Sequence, residues 1–520
     1  MIKSIYPLLG GLLLTVSAMA QSAPDALMIS NQQPSGTART QALGGVSVGL
    51  GGDFSSAFSN PAGIGIFKTG EFLISGGVGI SSNTTSYLPK ADPLDIKGSR
   101  TNFQVPNIGV VIAANRATGP NSWNNFSFAV GANRQANFNN RINIGGVTST
   151  TSYTENWIDQ LWSAGFNPMD PTYTPTGAGL AFKQGLIHSY VNSKGETDLL
   201  SEASPVRQTG GLASIYQRAA LDTKGGLTDY TIAFGGNYGD RFYIGAGLVV
   251  PSINYQETLS VSEDDNTGNP NNNFKYFDYN QYTKISGLGI AANIGILYKI
   301  TDRFRIGANF RTPTKYSMNI TQGGDLASDT EGWGGKKYNT AADYSLLKDY
   351  SYDLTAPLRL SGGASYFFGN LKDPDAVTGF IAADYEYVNH SKSKYNFADD
   401  KAGSRSVNDA IGFLYKSASN FKVGAEVKFA RIFAVRGGFA QFGNPYSNDT
   451  YNMSVDASRR TYSGGVGVRT KGIYVDLTYS YTQGKDFYQL YTTDIADYYP
   501  PAAMVDFKRS NIMATVGFKF

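Results

Sequence analysis

The chain ends in a segment whose side chains alternate between the two faces of an extended strand. Over residues 509–520, one face is apolar and the other is polar or small. Successive side chains of a β-strand point to opposite sides, so this alternation predicts an amphipathic strand. The apolar face holds Ile512, Ala514, Val516, Phe518 and Phe520, and the opposite face holds Asn511, Met513, Thr515, Gly517 and Lys519.

The same alternation recurs along the chain and predicts an all-β fold. Residues 303–311, 423–429 and 473–481 each place apolar side chains on one face and mostly polar or charged ones on the other. Counting such segments predicts about fourteen strands. They lie near residues 70–82, 101–115, 123–142, 227–238, 241–262, 274–299, 303–321, 350–368, 377–391, 420–430, 432–443, 459–470, 472–484 and 509–520.

The first twenty residues predict an export signal. Lys3 supplies a positive start, residues 5–16 form a short apolar core, and the Ala-Met-Ala run at 18–20 is a small-residue cleavage site. The apolar core is too short to span a bilayer as a helix. We therefore expect residues 1–20 to be a signal peptide and the mature chain to begin at Gln21.

Alternation alone does not distinguish a soluble sandwich, whose apolar face lies inside, from a membrane barrel, whose apolar face contacts lipid. The export signal, the length and the composition favour the membrane. The chain has 520 residues, of which 13% are aromatic, 60 are glycine and only 16% are charged, which suits many strands, tight turns and aromatic girdles. We predict a transmembrane antiparallel β-barrel over residues 70–520, crossing the outer membrane of a Gram-negative cell many times.

The spacers between the predicted strands alternate between short and long. Short periplasmic turns and long extracellular loops are typical of outer-membrane barrels, and an even strand count places both ends in the periplasm. The largest predicted loop, residues 143–226, pairs Trp157 with Leu161 and Ile158 with Trp162 at helical spacing, which predicts a short amphipathic helix.

Residues 21–69 differ from the predicted strands. They are rich in Gly, Ser and Ala and lack alternation, and they are too few for a domain with its own core. A disordered leader is one interpretation. Apolar residues such as Leu43, Val48 and Phe58 favour instead a compact insert that fills the barrel lumen as a small hatch.

Residues 41–64, QALGGVSVGLGGDFSSAFSNPAGI, carry a family resemblance. A run of small residues, an acidic residue, a short Ser/Ala stretch and Asn-Pro-Ala resemble the N-terminal hatch of the FadL/TodX family, which are outer-membrane channels for long-chain fatty acids and other hydrophobic compounds. Residues 306–314, 353–366, 423–426 and 435–439 are similar to the same family. The resemblance assigns hatch and gating roles to Asp53, Asn60, Pro61 and Ala62.

The resemblance also implies a passive mechanism. Ligand would be captured by the outer loops, the hatch would move, and the ligand would leave sideways through a gap beside a kinked third strand. Residues 131–139 are a candidate for that kink because their polar run suits lipid contact poorly. The alternative is that this stretch already lies in the outer loop.

Candidate ligand-binding residues come from the largest loop and from the lumen. Trp157, Leu161, Trp162 and Phe166 would form an apolar landing groove, or else the core of the loop itself. Strand parity directs Arg311 and Arg359 into the lumen, where they would contact a carboxylate or belong to an ion-pair lattice. Arg305, Arg436, Asp384, Glu386, Glu426 and Asp476 should point the same way.

No chemistry of catalysis or metal binding stands out. The chain has only two histidines, His188 and His390, and no cysteine, so we predict no enzyme, no cofactor and no metal site. A net charge of +3 over 520 residues does not indicate nucleic-acid binding. The predicted partners are a hydrophobic small molecule and outer-membrane lipid, with the protein as a monomer. The alternative function is a barrel anchor whose extracellular loops bind a host or partner molecule.

Overall fold

The computed structural model describes residues 23–31, 33–88, 96–115, 122–163, 165, 176–332, 343–344, 348–373, 375–447, 456–491, 493, 500 and 502–520. The signal peptide predicted over residues 1–20 lies outside the described residues. No helix formed by the described residues is long and apolar enough to cross a membrane. The helices are α1 (Ala23–Ser30), α2 (Ala38–Ala42), α3 (Ser56–Ser59), α4 (Tyr153–Ser163), α5 (Thr176–Lys183) and α6 (Lys401–Leu414), with 3₁₀ helices over Pro61–Ile66 and His390–Lys392.

Strands make up most of the described chain. They are β1 (Glu71–Leu88), β2 (Ile96–Gln104), β3 (Asn107–Asn115), β4 (Trp123–Asn137), β5 (Asn140–Thr148), β6 (Ile187–Val191), β7 (Thr197–Ser201), β8 (Ile215–Tyr238), β9 (Phe242–Asp265), β10 (Tyr276–Lys299), β11 (Phe304–Arg311), β12 (Thr314–Asp329), β13 (Asp343–Tyr344), β14 (Lys348–Ala356), β15 (Arg359–Gly369), β16 (Thr378–Asn389), β17 (Lys394–Asn396), β18 (Ser417–Phe429), β19 (Phe433–Phe442), β20 (Arg459–Arg469), β21 (Ile473–Gln489) and β22 (Ala502–Lys519). All except the β6–β7 hairpin belong to one antiparallel sheet.

The sheet closes on itself into a barrel. β1 pairs with β22 along its whole length, from Glu71 opposite Lys519 to Leu88 opposite Ala502. Five wall strands are interrupted, and the pairs β2/β3, β4/β5, β11/β12, β14/β15 and β16/β17 each count as one. With the short β13 left aside, the described barrel has fourteen strands, which confirms the predicted count and the predicted fold class.

Several strands extend further than the sequence predicted, among them β1, β12, β21 and β22, and two of the extensions shorten the largest predicted loop. β5 continues to Thr148, and β8 begins at Ile215 rather than near residue 227. Both extensions take residues from the segment that was predicted to be a loop over 143–226. The connection between β5 and β8 therefore starts at residue 149 and ends at residue 214, and it contains α4, α5 and the β6–β7 hairpin.

The direction of the alternation agrees with a membrane barrel. Leu477 is 49% exposed on the outer surface, whereas the neighbouring Asp476 is 4% exposed and points into the lumen. Glu426 is fully buried, while Val423 on the same strand is 47% exposed. A soluble sandwich would show the reverse arrangement, so the prediction of apolar side chains outside and charged ones inside is confirmed.

The N-terminal segment, residues 23–67, lies inside the barrel and packs against its wall. Much of this contact is backbone against backbone, because the wall carries glycine where the segment touches it. We call these residues the glycine belt. A Cβ atom at each would come within 3.0 Å of the segment: Gly235, Gly245, Gly295, Gly307, Gly363, Gly424, Gly438 and Gly465.

The glycine belt predicts a position-specific effect of adding one methyl group. At Gly438 a Cβ would lie 2.1 Å from the Gly44 nitrogen, so Gly438→Ala should displace the N-terminal segment and destabilise the barrel by about 1–3 kcal/mol. Thermal unfolding in detergent, followed by heat-modifiable electrophoretic mobility, measures this loss. Gly437→Ala is the matched control, because a Cβ at Gly437 meets nothing within 4 Å. Equal unfolding temperatures for the two variants would contradict the close packing.

Candidate functional site

Buried ion pairs anchor the N-terminal segment on one side of the lumen. Arg39 of α2 donates from Nε and Nη2 to the Glu426 carboxylate at 2.9 and 3.2 Å. The same carboxylate accepts from Arg436 Nε at 2.5 Å, and Arg436 Nη1 donates to Asp476 at 2.6 Å. Burial disfavours the charge of Arg39, but the Glu426 carboxylate more than offsets this and raises the pKa of Arg39. These groups hold α2 to β18, β19 and β21.

Asn60, Pro61 and Ala62 form the joint between α3 and the first 3₁₀ helix. Asn60 is fully buried, and its side-chain amide donates to the carbonyl oxygens of Val48 at 2.8 Å and of Ile296 at 3.1 Å. Its Oδ1 accepts from the Ala62 amide at 3.2 Å and caps the helix, whose first residue is Pro61. One side chain thereby joins two parts of the N-terminal segment to β10.

Asp53 organises the segment from within. Its carboxylate accepts from the hydroxyl of Thr37 at 2.9 Å, from that of Thr40 at 3.1 Å and from the Ser55 amide at 2.9 Å. It therefore ties the turn before α2 to the turn before α3. The hatch and gating roles that the resemblance assigns to Asp53, Asn60, Pro61 and Ala62 stay a prediction.

The third wall strand breaks at the end of the stretch 131–139. β4 pairs with β3 as far as Asn133 opposite Asn107 and ends at Asn137, and β5 resumes at Asn140. Above this break, β5 pairs with β8, and β2 pairs with β1. Among the described ladders, none joins β2 to β5. Residues 131–137 are therefore wall strand and not outer loop.

β5 bends into the lumen above the break. Asn83, an inward-facing residue of β1, donates to Asn140 Oδ1 at 2.8 Å and to the Arg141 carbonyl at 2.5 Å. Between β2 and the end of β4, side chains replace the backbone ladder, because Asn137 Nδ2 donates to Asn102 Oδ1 and to Gln104 Oε1, both at 3.2 Å. We call this place, between residues 102–106 and 134–139, the wall opening.

A cavity extends from the lumen to the wall opening. Its lining includes Gln33 and Pro34 of the N-terminal segment, and Ile80, which is on the lipid-facing surface of β1. The lining also reaches Pro106 and Arg134, so the cavity joins the barrel interior to the wall opening. Its other lining residues are Gln41, Gly79, Ser81, Asn102, Gln104, Gln135, Ala136, Asn137, Asn139, Phe442, Arg459, Ser480, Thr482, Phe507, Arg509, Ser510 and Asn511.

A second cavity lies in the lumen and is lined by Arg311 and Arg359. Both arginines point inward as predicted, and both have carboxylate partners. Arg311 Nη1 is 2.7 Å from Asp229, and Arg359 Nη1 is 3.5 Å from Glu386. Arg359 also donates to the Ser30 carbonyl at the end of α1. This geometry favours the ion-pair interpretation, and ligand contact by either arginine stays a prediction.

The predicted helix in the largest loop is α4, and it packs into the outer mouth of the barrel. Trp157 and Leu161 are fully buried, and the Trp157 ring lies 5.0 Å from that of Tyr279 and 5.5 Å from that of Phe277, both on β10. The contacts favour a loop core for these two residues. Trp162 is 41% exposed. Phe166 lies outside the described residues.

Sequence reasoning missed most of the residues that line the wall opening. Pro106 interrupts the second wall strand, and the amides of Asn102, Gln104 and Asn137 stand where a membrane wall would normally carry backbone pairing. A proline inside a predicted strand was the available signal, since proline cannot donate to a ladder. Among the described residues, no cluster of three or more potential His, Asp or Glu ligands is arranged to hold a metal.

A buried carboxyl predicts that the α4 loop is sensitive to pH. Burial raises the pKa of Glu155 to about 7 from its ordinary value of 4.5, with Asp159 adding to the effect and Ser204 and Arg207 opposing it. The folded loop therefore holds a proton that the unfolded loop releases between these two values. Its stability should be highest below pH 4.5 and fall by roughly 3 kcal/mol as pH rises to about 7.

Hydrogen–deuterium exchange of residues 153–163, corrected for intrinsic rates, checks this prediction at pH 5 and pH 8. We expect weaker protection at pH 8 in the native protein. Glu155→Gln, which cannot ionise, should show a smaller difference in protection, because the buried Glu263 carboxyl that accepts from the Tyr153 amide still titrates. A native loop whose protection does not change with pH would contradict the assignment.

Comparison with known proteins gives a likeness in fold. No protein-family model and no curated protein matches the sequence. Among solved structures, the chain is similar to a FadL homologue of Pseudomonas aeruginosa at 13% identity and a TM-score of 0.55, over 94% of this chain and 99% of that one. It also aligns with the toluene transporter TodX of Pseudomonas putida at 11% identity and a TM-score of 0.49, over 93% and 98% of the two chains. The first of these likenesses shows that the FadL-type fold expected from the sequence is the fold of this chain.

Proposed function

We propose that this protein is a passive outer-membrane channel for the uptake of hydrophobic compounds such as long-chain fatty acids. The observation that carries the proposal is the cavity that runs from the lumen to the break in the wall at the wall opening. A barrel that served only as an anchor would have no need of a break in its wall. The structural relative with a TM-score of 0.55 is a FadL homologue, which supports the same function.

Passive uptake is energetically reasonable for such a ligand. Burial of an alkyl chain contributes about 0.8 kcal/mol per CH₂ group, so capture from water needs no energy source. Release through the wall delivers the chain into the bilayer without passing it through the aqueous periplasm. The ligand would be captured at the outer mouth, held in the lumen and released at the wall opening.

The N-terminal segment would act as the gate. Residues 42–65, which we call its lower half, would have a different role from the stretch at Gln33 and Pro34. The glycine belt and Asn60 hold residues 42–65 tightly against the wall. Gln33 and Pro34 line both the lumen cavity and the cavity at the wall opening, so movement of this short stretch would connect them. In this mechanism, Asp53, Asn60, Pro61 and Ala62 keep the lower half closed.

A reversible cross-link tests lateral release. The chain has no cysteine, so Asn102→Cys with Asn137→Cys introduces the only two thiols, at side chains that are 3.2 Å apart. Joining them with a short reducible bis-methanethiosulfonate should stop uptake of radiolabelled palmitate by cells, and reduction should restore it. The control is Asn319→Cys with Ser351→Cys, which face each other across the continuous β12–β14 ladder. Undiminished uptake in the cross-linked protein would rule out this route.

Asn60→Asp tests the holding role of Asn60. A carboxylate cannot donate to the Val48 and Ile296 carbonyls, so two buried acceptors would face a negative charge at a cost of several kcal/mol. We expect the lower half of the N-terminal segment to loosen and the protein to conduct ions in planar bilayers. Asn370→Asp, the same change in an exposed turn between β15 and β16, should leave the barrel closed. Closed N60D channels would show that Asn60 does not hold the segment.

A further inference from the structure

Four cations face outward from neighbouring wall strands, where β20, β21, β22, β1 and β2 lie side by side. Arg460 and Lys508 lie in one row across the wall, since each is opposite Gln483 of β21. Lys485 and Lys97 lie in the next row toward the loops. All four side chains are exposed, and the spacing of the strands places them within about 20 Å of one another across the wall. We call Arg460, Lys485, Lys508 and Lys97 the cationic patch.

The cationic patch lies directly beyond the apolar band of the same strands. Tyr462, Tyr479, Ile512 and Ile80 are all exposed on the outer surface, one or two pairs of residues closer to the middle of the wall. Aromatic side chains of this kind mark the interface between lipid and water. β20 follows the long connection over residues 443–458, so this is the extracellular end of the wall. The cationic patch therefore lies at the level of the lipid head groups of the outer leaflet.

The protein neutralises little of this charge. Lys485 Nζ lies 3.7 Å from the Asp506 carboxylate, and both side chains are largely exposed. Among the described outward-facing residues of these five strands, Asp506 is the only acid beyond the apolar band. The side chains of Arg460, Lys508 and Lys97 form no ion pair within the part of the chain that the structure describes. The patch thus has an excess of positive charge that an external anion can neutralise.

The opposite wall carries acids at the same end. Asp278 of β10 accepts from the Ser262 hydroxyl at 2.6 Å, and Asp325 of β12 accepts from Asn280 Nδ2 at 2.8 Å. These carboxylates are satisfied by polar neighbours on the same outer face. Other outward-facing acids of this wall are Asp264, Asp349 and Asp353. Because the cations are concentrated on one side of the barrel, an anionic lipid would bind there and not all around the wall.

We infer that the cationic patch binds the phosphate groups of lipid A, the phosphorylated glycolipid of the outer leaflet. Arginine and lysine are the side chains that proteins use to bind phosphate. The acyl chains of the same molecule would lie along the apolar wall beneath the patch, over Ile80, Ile512 and Tyr479. A soluble polyanion would gain nothing from that apolar surface. This surface is on the outside of the barrel, so the inference goes beyond the proposed function and does not depend on it.

Native mass spectrometry of the purified full-length protein in detergent tests the inference. The protein is titrated with bis-phosphorylated lipid A and with the same lipid A without its phosphates, in EDTA so that no divalent cation bridges lipid and protein. We expect Lys97→Gln with Lys508→Gln to weaken binding of the phosphorylated form about ten- to thirtyfold and to leave the other form unchanged. The matched control is Lys284→Gln with Lys315→Gln, which removes the same charge from exposed lysines of β10 and β12 on the opposite wall. Thermal unfolding verifies that both variants are folded.

Four outcomes would overturn the inference. Equal binding of the two forms of lipid A to the native protein would show that the phosphates are not recognised. Equal weakening in the two variants would show that only the total charge matters, and undiminished binding in the Lys97 and Lys508 variant would exclude this part of the wall. Equal affinity of the native protein for phosphatidylglycerol would assign the patch to anionic lipids in general. None of these outcomes affects the channel proposal.

Discussion

The backbone hydrogen-bond ladder is the constraint on which this structure depends. No water is present in the bilayer core to satisfy amide and carbonyl groups, so a membrane strand needs a partner on each side. The β1–β22 pairing removes the sheet edges that would otherwise remain. The wall opening departs from this rule. There, hydrogen bonds among the side-chain amides of Asn102, Gln104 and Asn137 replace backbone pairing. Pro106 has no backbone N–H, so one donor fewer needs a partner.

The barrel wall encloses a wide lumen. The N-terminal segment fills this lumen through contacts of its backbone with the backbone of the wall. Side chains normally fill the space between packed elements, but the glycine belt removes them on eight wall strands and lets backbone approach backbone. Such contacts tolerate very little displacement, since even a methyl group has no room. The Arg39–Glu426–Arg436 ion pairs add a directional anchor at one side. The lower half of the segment is consequently part of the rigid barrel.

Sequence alone was sufficient for the strand count because alternation is a local property of each strand. It failed where the environment of the outer face changes. In the second half of β8, the outward-facing residues Tyr230, Ile232 and Phe234 are apolar and contact lipid. In the first half, beyond the lipid, the outward-facing residues include Arg218 and Asp222, and the apolar side chains face inward to the loop core. The sign of the alternation therefore reverses along one strand, and the upper half of β8 was taken for loop.

The candidate site was less predictable than the fold. Strand parity correctly directs Arg311 and Arg359 inward, but pairing with Asp229 and Glu386 depends on neighbours that are distant in sequence. The helical period identified α4 and its apolar stripe, but not which surface would cover Trp157.

The strength of the contacts decides which part of the N-terminal segment can move. Residues 42–65 are held by backbone packing around most of the circumference, and their displacement would disturb many contacts at once. The stretch from Gln33 to Gly36 is held by a few hydrogen bonds of 3.1–3.4 Å to β4, from Gln33 to the Asn137 carbonyl, from Ser35 to Gln135 and from the Gly36 amide to Asn133. Each contributes on the order of 1 kcal/mol, and water or a ligand head group can replace it. A movement confined to this stretch would join the two cavities at small cost, without opening an aqueous pore through the lower barrel.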